Sequence, residues 1–153
     1  MAYFRDLTPF VYGFEPPLHA DIRNVGWLDV DQPFPTGTLP EAWLDRLWNY
    51  CKICVSATRG LHPCPFCPAP SEGLEGYIHQ HRGERLLLHS AEIRAFSSDG
   101  RIFAAPNLIF HYVASHGYRP PDPFIEALAT LPEEAYRERL TAYGIDWSEN
   151  PYR

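Results

Sequence analysis

Two cysteines separated by two residues, Cys64 and Cys67, have the residue type and spacing of metal ligands. Thiolates at this spacing can present both sulfurs to one tetrahedral ion, and Zn²⁺ accepts thiolate and imidazole ligands together. His62 precedes Cys64 by two residues and is the nearest candidate for a third ligand. The sequence therefore predicts a zinc site in this stretch.

Four cysteines form the first complete ligand set that the sequence offers, because they make two C-x-x-C pairs that could close a structural zinc site. They are Cys51, Cys54, Cys64 and Cys67. However, Cys51 follows Leu47 by four residues in an apolar stripe with helical spacing, so it is equally well explained as a buried structural thiol. Without a metal, all of these thiols would pack as small hydrophobic side chains.

Histidines provide the second ligand set, together with the second cysteine pair. We favour His62 and His111 as ligands, and His89 and His116 are further candidates. His111 and His116 are five residues apart, which corresponds to about 140° around a regular α-helix. We therefore expect at most one of these two to reach the ion, and we expect His116 to be a core or helix-terminal histidine.

Two known chemistries of C-x-x-C motifs are disfavoured. Zinc nucleobase deaminases combine P-C-x-x-C with H-x-E, and none of the seven histidines has a glutamate two residues later. Dithiol redox motifs begin a helix, which Pro68 and Pro70 disfavour here. A zinc ion with only three protein ligands could activate water for hydrolysis, with Glu92 as the base. The alternating polar residues Ser90, Glu92 and Arg94 are otherwise expected on the exposed face of a half-buried hairpin.

Composition limits the partners and the compartment. A chain of 153 residues fits one domain, and its 16 prolines and 14% aromatic residues predict loops held by aromatic packing. A net charge of -6 without a run of basic residues disfavours nucleic acid as a partner. The sequence has neither a signal peptide pattern nor an apolar run of membrane-spanning length, so a cytoplasmic protein without a membrane contact is predicted. In that compartment, C-x-x-C pairs bind metal more often than they form disulfides.

The N-terminal half is predicted to form an arm, a helix and a loop. Residues 1–37 are rich in aromatic residues and proline and are predicted to form an irregular arm packed over the core, in which only residues 24–28 (N-V-G-W-L) have the pattern of a short strand. The sequence T-L-P-E at residues 38–41 matches a capping box and predicts a helix over residues 38–56. Residues 58–76 form the predicted metal-knuckle loop, because the prolines and glycines in this stretch exclude regular structure.

The C-terminal half is predicted to form a hairpin and helices. A β-hairpin is expected over residues 84–105, with the D-G pair at residues 99–100 in its turn. Helices follow over residues 106–144, one of them ended by Gly117, and residues 145–153 form a tail. The predicted fold is thus a single α+β domain over residues 1–153, with a proline-rich zinc-knuckle loop, a β-hairpin or small antiparallel sheet, and three to four helices.

Several motifs resemble those of a family of small, uncharacterised bacterial proteins. They are N-V-G-W-L-D at residues 24–29, T-R-G-x-H-x-C-x-F-C at residues 58–67, S-A-E-I-R at residues 90–94, and A-P-N-L-I-x-H-Y at residues 105–112. The resemblance implies a bacterial, cytoplasmic, single-domain protein, and the family brings no established activity. Because Cys51, Cys54 and His89 lie outside these motifs, the resemblance favours the second cysteine pair with histidine ligands.

These features favour a zinc-stabilised binding or accessory protein, in which the metal holds the loop between the first helix and the hairpin. Its acidic, aromatic surface would meet a protein or a small-molecule ligand. The alternative is a small zinc-dependent hydrolase with an open coordination position. The number of protein ligands distinguishes the two, since a structural zinc site is closed by four ligands and a catalytic site retains a water.

Overall fold

Four helices and two β-sheets make up the part of the chain that the computed structural model describes, residues 2–11 and 20–153. The helices are α1 (Glu41–Tyr50), α2 (Ile109–His116), α3 (Asp122–Ala127) and α4 (Glu133–Ala142). The strands are β1 (Asp21–Asn24), β2 (Ile53–Val55), β3 (Ile78–His81), β4 (Glu84–Leu87), β5 (Glu92–Phe96), β6 (Arg101–Pro106) and β7 (Trp147–Glu149). The predicted α+β class is confirmed. Residues 1 and 12–19 of the predicted arm lie outside the described residues.

The larger sheet has five strands in the order β1-β6-β5-β2-β7. Strand β1 runs parallel to β6, whereas the other neighbours are antiparallel. The two outer strands come from the N-terminal arm, where a short strand was predicted at residues 24–28 but forms at Asp21–Asn24, and from the C-terminal tail, where no strand was predicted. Their pairing partners are far away in the chain, so these strands form through long-range backbone hydrogen bonds that local patterns do not reveal.

The smaller sheet pairs β3 with β4 and divides the hairpin that was predicted over residues 84–105. Strand β4 turns back to β3 through Arg82 and Gly83, which both have positive φ angles of 51° and 79°. Two central residues with positive φ are typical of a type I′ hairpin turn. The second half of the predicted hairpin is formed by β5 and β6, which are joined by the turn at residues 97–100.

The first helix is shorter than the predicted span of residues 38–56. It begins after Pro40, and no side chain caps its first turn, so the capping box suggested by the sequence does not form. The helix ends at Tyr50, and Ile53–Val55 forms strand β2 instead. These three residues are fully buried between β5 and β7, and such burial favours β-branched side chains in a strand.

The hydrophobic core lies between the larger sheet and the helices. Its members include Leu47 and Trp48 of α1, Ile93 of β5, Ile102 of β6 and Phe124 of α3, all of which are buried. Helices α1 and α2 pack against one another, with the rings of Trp48 and Phe110 at 4.9 Å. In the described part of the chain, no helix has the length and apolar character needed to cross a membrane.

Gly26 packs closely against the first residue of α2. Its φ is +74°, and a Cβ added there would lie 2.7 Å from Cδ1 of Ile109, the first residue of α2. Gly144 offers a matched comparison, because its φ is +71° but a Cβ would meet no atom within 4 Å.

We expect Gly26→Ala to lower the free energy of unfolding by about 1–3 kcal/mol more than Gly144→Ala does. Both changes carry the left-handed backbone cost of about 1–2 kcal/mol, and only the first adds overpacking. Urea denaturation of the two variants measures the difference. Equal losses would show that the contact with Ile109 relaxes without cost.

Candidate metal centre

The turn that carries the cysteines is formed by its own sequence. The amide of Cys67 donates a hydrogen bond to the carbonyl oxygen of Cys64 at 3.4 Å, which closes a four-residue turn. Pro65 occupies its second position, where the fixed φ of proline is favourable. Cys64 and Cys67 therefore stand at the two ends of one tight turn, as a C-x-x-C knuckle requires.

Phe66 attaches this turn to helix α2. Its ring lies 5.8 Å from the ring of Tyr112 and 5.3 Å from that of His116, with the ring of Phe34 at 5.3 Å on the arm. Aromatic pairs at these separations contribute about 0.5–1.5 kcal/mol each beyond the area they bury. The proline-rich loop is thereby placed against the C-terminal half of α2.

Helix α2 brings both of its histidines to the same point, contrary to the expectation that only one could reach it. The Nε2 atoms of His111 and His116 are 3.1 Å apart. His116 is the last residue of the helix, and the amides of Gly117 and Tyr118 both bond back to the carbonyl of Tyr112. These bonds span five and six residues, so the final turn is wider than the regular α-helix assumed from the sequence.

Four donor atoms converge between the knuckle and α2. Cys67 Sγ lies 3.3 Å from the Nε2 atoms of both His111 and His116, and Cys64 Sγ lies 3.4 Å from Nε2 of His116. All four atoms lie within 4.8 Å of one another. Of the described residues, these four are the group whose donor atoms could hold one ion.

Four of the six separations, at 3.1–3.4 Å, are close to the edges of a tetrahedron around one zinc ion. With Zn–S and Zn–N bonds of about 2.3 Å and 2.0 Å, neighbouring donors lie about 3.3–3.8 Å apart. A thiol–imidazole hydrogen bond would explain any one of the contacts, but it does not require two imidazole nitrogens and a sulfur to face one point. The donor set, two sulfurs and two imidazole nitrogens, is one that Zn²⁺ prefers.

The protonation states of the histidines suit metal binding. Burial, helped by the neighbouring His116 and His89, lowers the pKa of His111 to about 4, and burial also lowers the pKa of His116. Both imidazoles are therefore neutral near pH 7, which is the form that ligates a metal. Burial raises the pKa of the Cys64 thiol to about 11, so a metal ion would displace its proton on binding.

The other candidate ligands lie elsewhere. The amide of His62 donates to the carbonyl of His89 at 2.9 Å, and His62 is not part of the four-residue cluster. Cys51 is completely buried, with its Sγ 3.5 Å from the carbonyl oxygen of Asn107, and Cys54 is buried in β2. The structure thus brings Cys64, Cys67 and His111 together from the predicted sets, without the first cysteine pair or His62.

His89 is held next to the cluster rather than in it. Its Nδ1 lies 2.7 Å from the carbonyl oxygen of His62, so Nδ1 must carry the proton and donate. Its Nε2 is then an acceptor, and His79 Nε2, at 2.8 Å, is the donor. The ring of His79 in turn lies 4.8 Å from the ring of His111. This histidine pair forms one wall beside the proposed ligand His111.

The hairpin pattern suggested that Glu92 lies on an exposed face, but its side chain is buried. Its residue exposure is 6%, that of Arg94 is 5%, and the two side chains form an ion pair of 2.7 Å. Burial raises the pKa of Glu92, and the charge of Arg94 opposes this shift. Glu92 is outside the four-residue cluster.

His116 is the member of the cluster that sequence reasoning assigned to another role. The signal that could have indicated it is its place immediately before Gly117, since a glycine in the left-handed conformation ends a helix and the regular helical geometry does not extend past it. The spacing alone, interpreted with regular helix geometry, excluded it.

Comparison with known proteins gives a family but no activity. Neither the curated proteins nor the solved structures searched contain a significant match to this chain. A family model matches residues 2–129 and thus includes all four residues of the cluster. The chain belongs to this family, which is described as a domain of unknown function, DUF7919.

Proposed function

We propose that this protein binds one Zn²⁺ through Cys64, Cys67, His111 and His116, and that the ion has a structural role in a small binding protein. The observation that carries the proposal is the convergence of two sulfurs and two imidazole nitrogens from separate elements on one point. The ion would join the proline-rich loop to α2 and so hold a segment that has little regular structure of its own.

The number of donors favours the structural role over the alternative of a zinc hydrolase. Four protein ligands fill a tetrahedral ion and leave no position for a catalytic water. Glu92, the base considered for hydrolysis, is paired with Arg94 and lies outside the cluster. We therefore assign to the remaining surface the binding of a protein or a small-molecule ligand, rather than the catalysis of a reaction.

A cytoplasmic location is part of the same proposal. All four cysteines are free thiols, and the two outside the cluster are buried. Reduced thiols are usual in the cytoplasm, where glutathione and thioredoxin keep them reduced. The net charge of -6 supports a partner other than nucleic acid.

Metal analysis and X-ray absorption of the purified protein test the proposal. We expect one zinc per chain and a first coordination shell of two sulfur and two nitrogen atoms. In His116→Ala the zinc content should fall well below one per chain, because three ligands hold the ion more weakly. His62→Ala is the matched control and should retain the full zinc content.

Two results would contradict this assignment. Absence of zinc from the wild-type protein, after purification with added zinc and without chelators, would show that the cluster does not bind zinc. Loss of zinc in His62→Ala but not in His116→Ala would restore the ligand set that the sequence suggested.

A further inference from the structure

A second concave site lies beside the metal cluster and contains none of its four residues. It is a cleft of about 40 Å³ between the start of β5, the loop after β2 and the start of α2. Residues that line it include Trp27, Thr58, Ser90, Glu92, Asn107 and Leu108. The volume has room for only a few water-sized groups, so the cleft can enclose the end of a small molecule.

The cleft collects the sequence motifs that the metal site leaves unexplained. Trp27 belongs to the N-V-G-W-L-D motif, Thr58 begins the T-R-G-x-H segment, Ser90 and Glu92 belong to S-A-E-I-R, and Asn107 belongs to A-P-N-L-I. These segments are far apart in the chain and meet here. The zinc proposal uses the cysteines and histidines of two of them and assigns no role to the residues that line the cleft.

Two buried side chains with acceptor oxygens, Asn107 and Glu92, lie on the polar side of the cleft. The other polar residues of the lining are Ser56, Thr58, His62, His89 and Ser90. Asn107 is only 1% exposed, and its Nδ2 donates to the carbonyl of Leu87 at 3.2 Å, whereas no described residue donates to its Oδ1. The carboxyl of Glu92 is also buried. A buried acceptor without a donor carries a desolvation cost that an N–H group of a ligand would remove.

The residues around the cleft disfavour an anion as the ligand. They include Glu92 and two histidines, but neither lysine nor arginine. Arg94 lies 2.7 Å from the carboxyl of Glu92 and compensates its charge, but Arg94 is not among the lining residues. A ligand group that donates hydrogen bonds, neutral or cationic, therefore fits better than a carboxylate or a phosphate.

Apolar side chains form the remaining walls of the cleft. These walls are formed by Trp27, Leu88, Pro106 and Leu108. Trp27, Leu88 and Leu108 are each buried to at least nine-tenths. Small-molecule sites commonly combine such apolar walls with a few polar groups that fix orientation. A compact group with N–H donors on one edge and an apolar remainder matches this arrangement.

We propose that the cleft binds the amide or amidine end of a small molecule, which donates N–H hydrogen bonds to Glu92 and Asn107. The inference rests on the binding role proposed above and names the chemistry of the ligand. It does not need the metal as a ligand contact, because the cleft and the cluster share no residue.

Three isosteric probes test this chemistry: acetamidinium, acetamide and acetate. They have nearly the same shape, but only the first two carry N–H donors and only the first is a cation. Titration of the wild-type protein, followed by ¹⁵N NMR, should show saturable shifts of the amides of Ser90, Glu92 and Asn107 with acetamidinium and acetamide. Acetate should bind at least about tenfold more weakly, the difference expected for lost hydrogen bonds to a charged group. A tighter acetamidinium complex would identify an amidine ligand, and equal affinities would identify an amide.

Equal or tighter binding of acetate would overturn the proposal, as would shifts confined to residues outside the cleft or no saturable shift with any probe. Glu92→Gln should weaken acetamidinium binding about tenfold or more, whereas Glu126→Gln, which changes an exposed glutamate on α3, should not. The wild-type shift map decides the question even if Glu92→Gln does not fold.

Failure of this inference is distinguishable from failure of the zinc proposal. Zinc content is measured on the same protein sample as the titration. If the protein contains one zinc but does not respond to the probes, only the cleft assignment is wrong. If it responds at the cleft but purifies without zinc, only the metal assignment is wrong.

Discussion

Removal of the metal should cause the largest loss of stability expected for this protein. A strong chelator should lower the melting temperature by about 10 °C or more, because a ligand present at a thousand times its Kd stabilises the folded state by about 4 kcal/mol. In isolated zinc fingers, the binding free energy of a structural zinc ion is larger than these 4 kcal/mol, at about 10–16 kcal/mol. Here Cys64 is only one member of a hydrophobic core whose other members come largely from the sheet and the helices, so partial unfolding around the knuckle and α2 is expected rather than complete loss of structure.

The cysteine pairs provide the control for this experiment. Cys67→Ser should be destabilised to the same extent as the chelated wild type and should respond no further to chelator. Cys54→Ser changes a buried thiol outside the cluster, so it should keep its zinc and its full response to chelator. If the wild-type melting temperature is the same with and without chelator, the ion does not stabilise the fold.

Asn150→Ala should produce the second large effect, a loss of about 3 kcal/mol in the free energy of unfolding. The side chain is in a residue only 3% exposed, and its Oδ1 accepts from the amide of Leu87 at 3.1 Å. Its Nδ2 donates to the carbonyls of Leu87 at 2.8 Å and of Cys51 at 3.2 Å. Alanine would leave the Leu87 amide and the Cys51 carbonyl buried without these partners, at about 1–3 kcal/mol each.

Asn49→Ala is the matched control, because Asn49 is exposed on α1 and alanine favours a helix. Urea denaturation should show a change of less than about 0.5 kcal/mol for this variant. A similarly small effect of Asn150→Ala would mean that water replaces its hydrogen bonds. Because Asn150 lies beyond the family match at residues 2–129, this measurement also tests how far the fold depends on the segment that follows.

Local sequence patterns predicted those parts of the fold that local interactions form. The D-G turn between β5 and β6 and the end of α2 at Gly117 follow from the backbone freedom of glycine, whose φ is +88° at Gly100 and +66° at Gly117. The α+β class followed from the same patterns. The boundaries of α1 did not follow from these patterns. Ile53 and Val55 were predicted to be helical, but they pair with neighbouring strands and form β2 instead.

The two halves of the candidate metal centre differ in how much the sequence could determine. The knuckle is local: the C-x-x-C spacing and Pro65 suffice to place two sulfurs at the ends of one turn. The histidines come from a helix more than 40 residues away in the chain. Proximity in sequence favoured His62, but proximity in space is set by the packing of Phe66 against α2.

The sequence by itself therefore determined the donor types of the candidate site, thiol and imidazole beside a proline-rich turn, and the class of fold. Only the tertiary structure decided that His116 completes the cluster, that Glu92 and Arg94 are buried together, and that the chain ends supply the outer strands β1 and β7. The physical reason is common to all three. Each depends on contacts between residues distant in the chain or on a helix end that departs from regular geometry, and neither leaves a periodic pattern in the sequence.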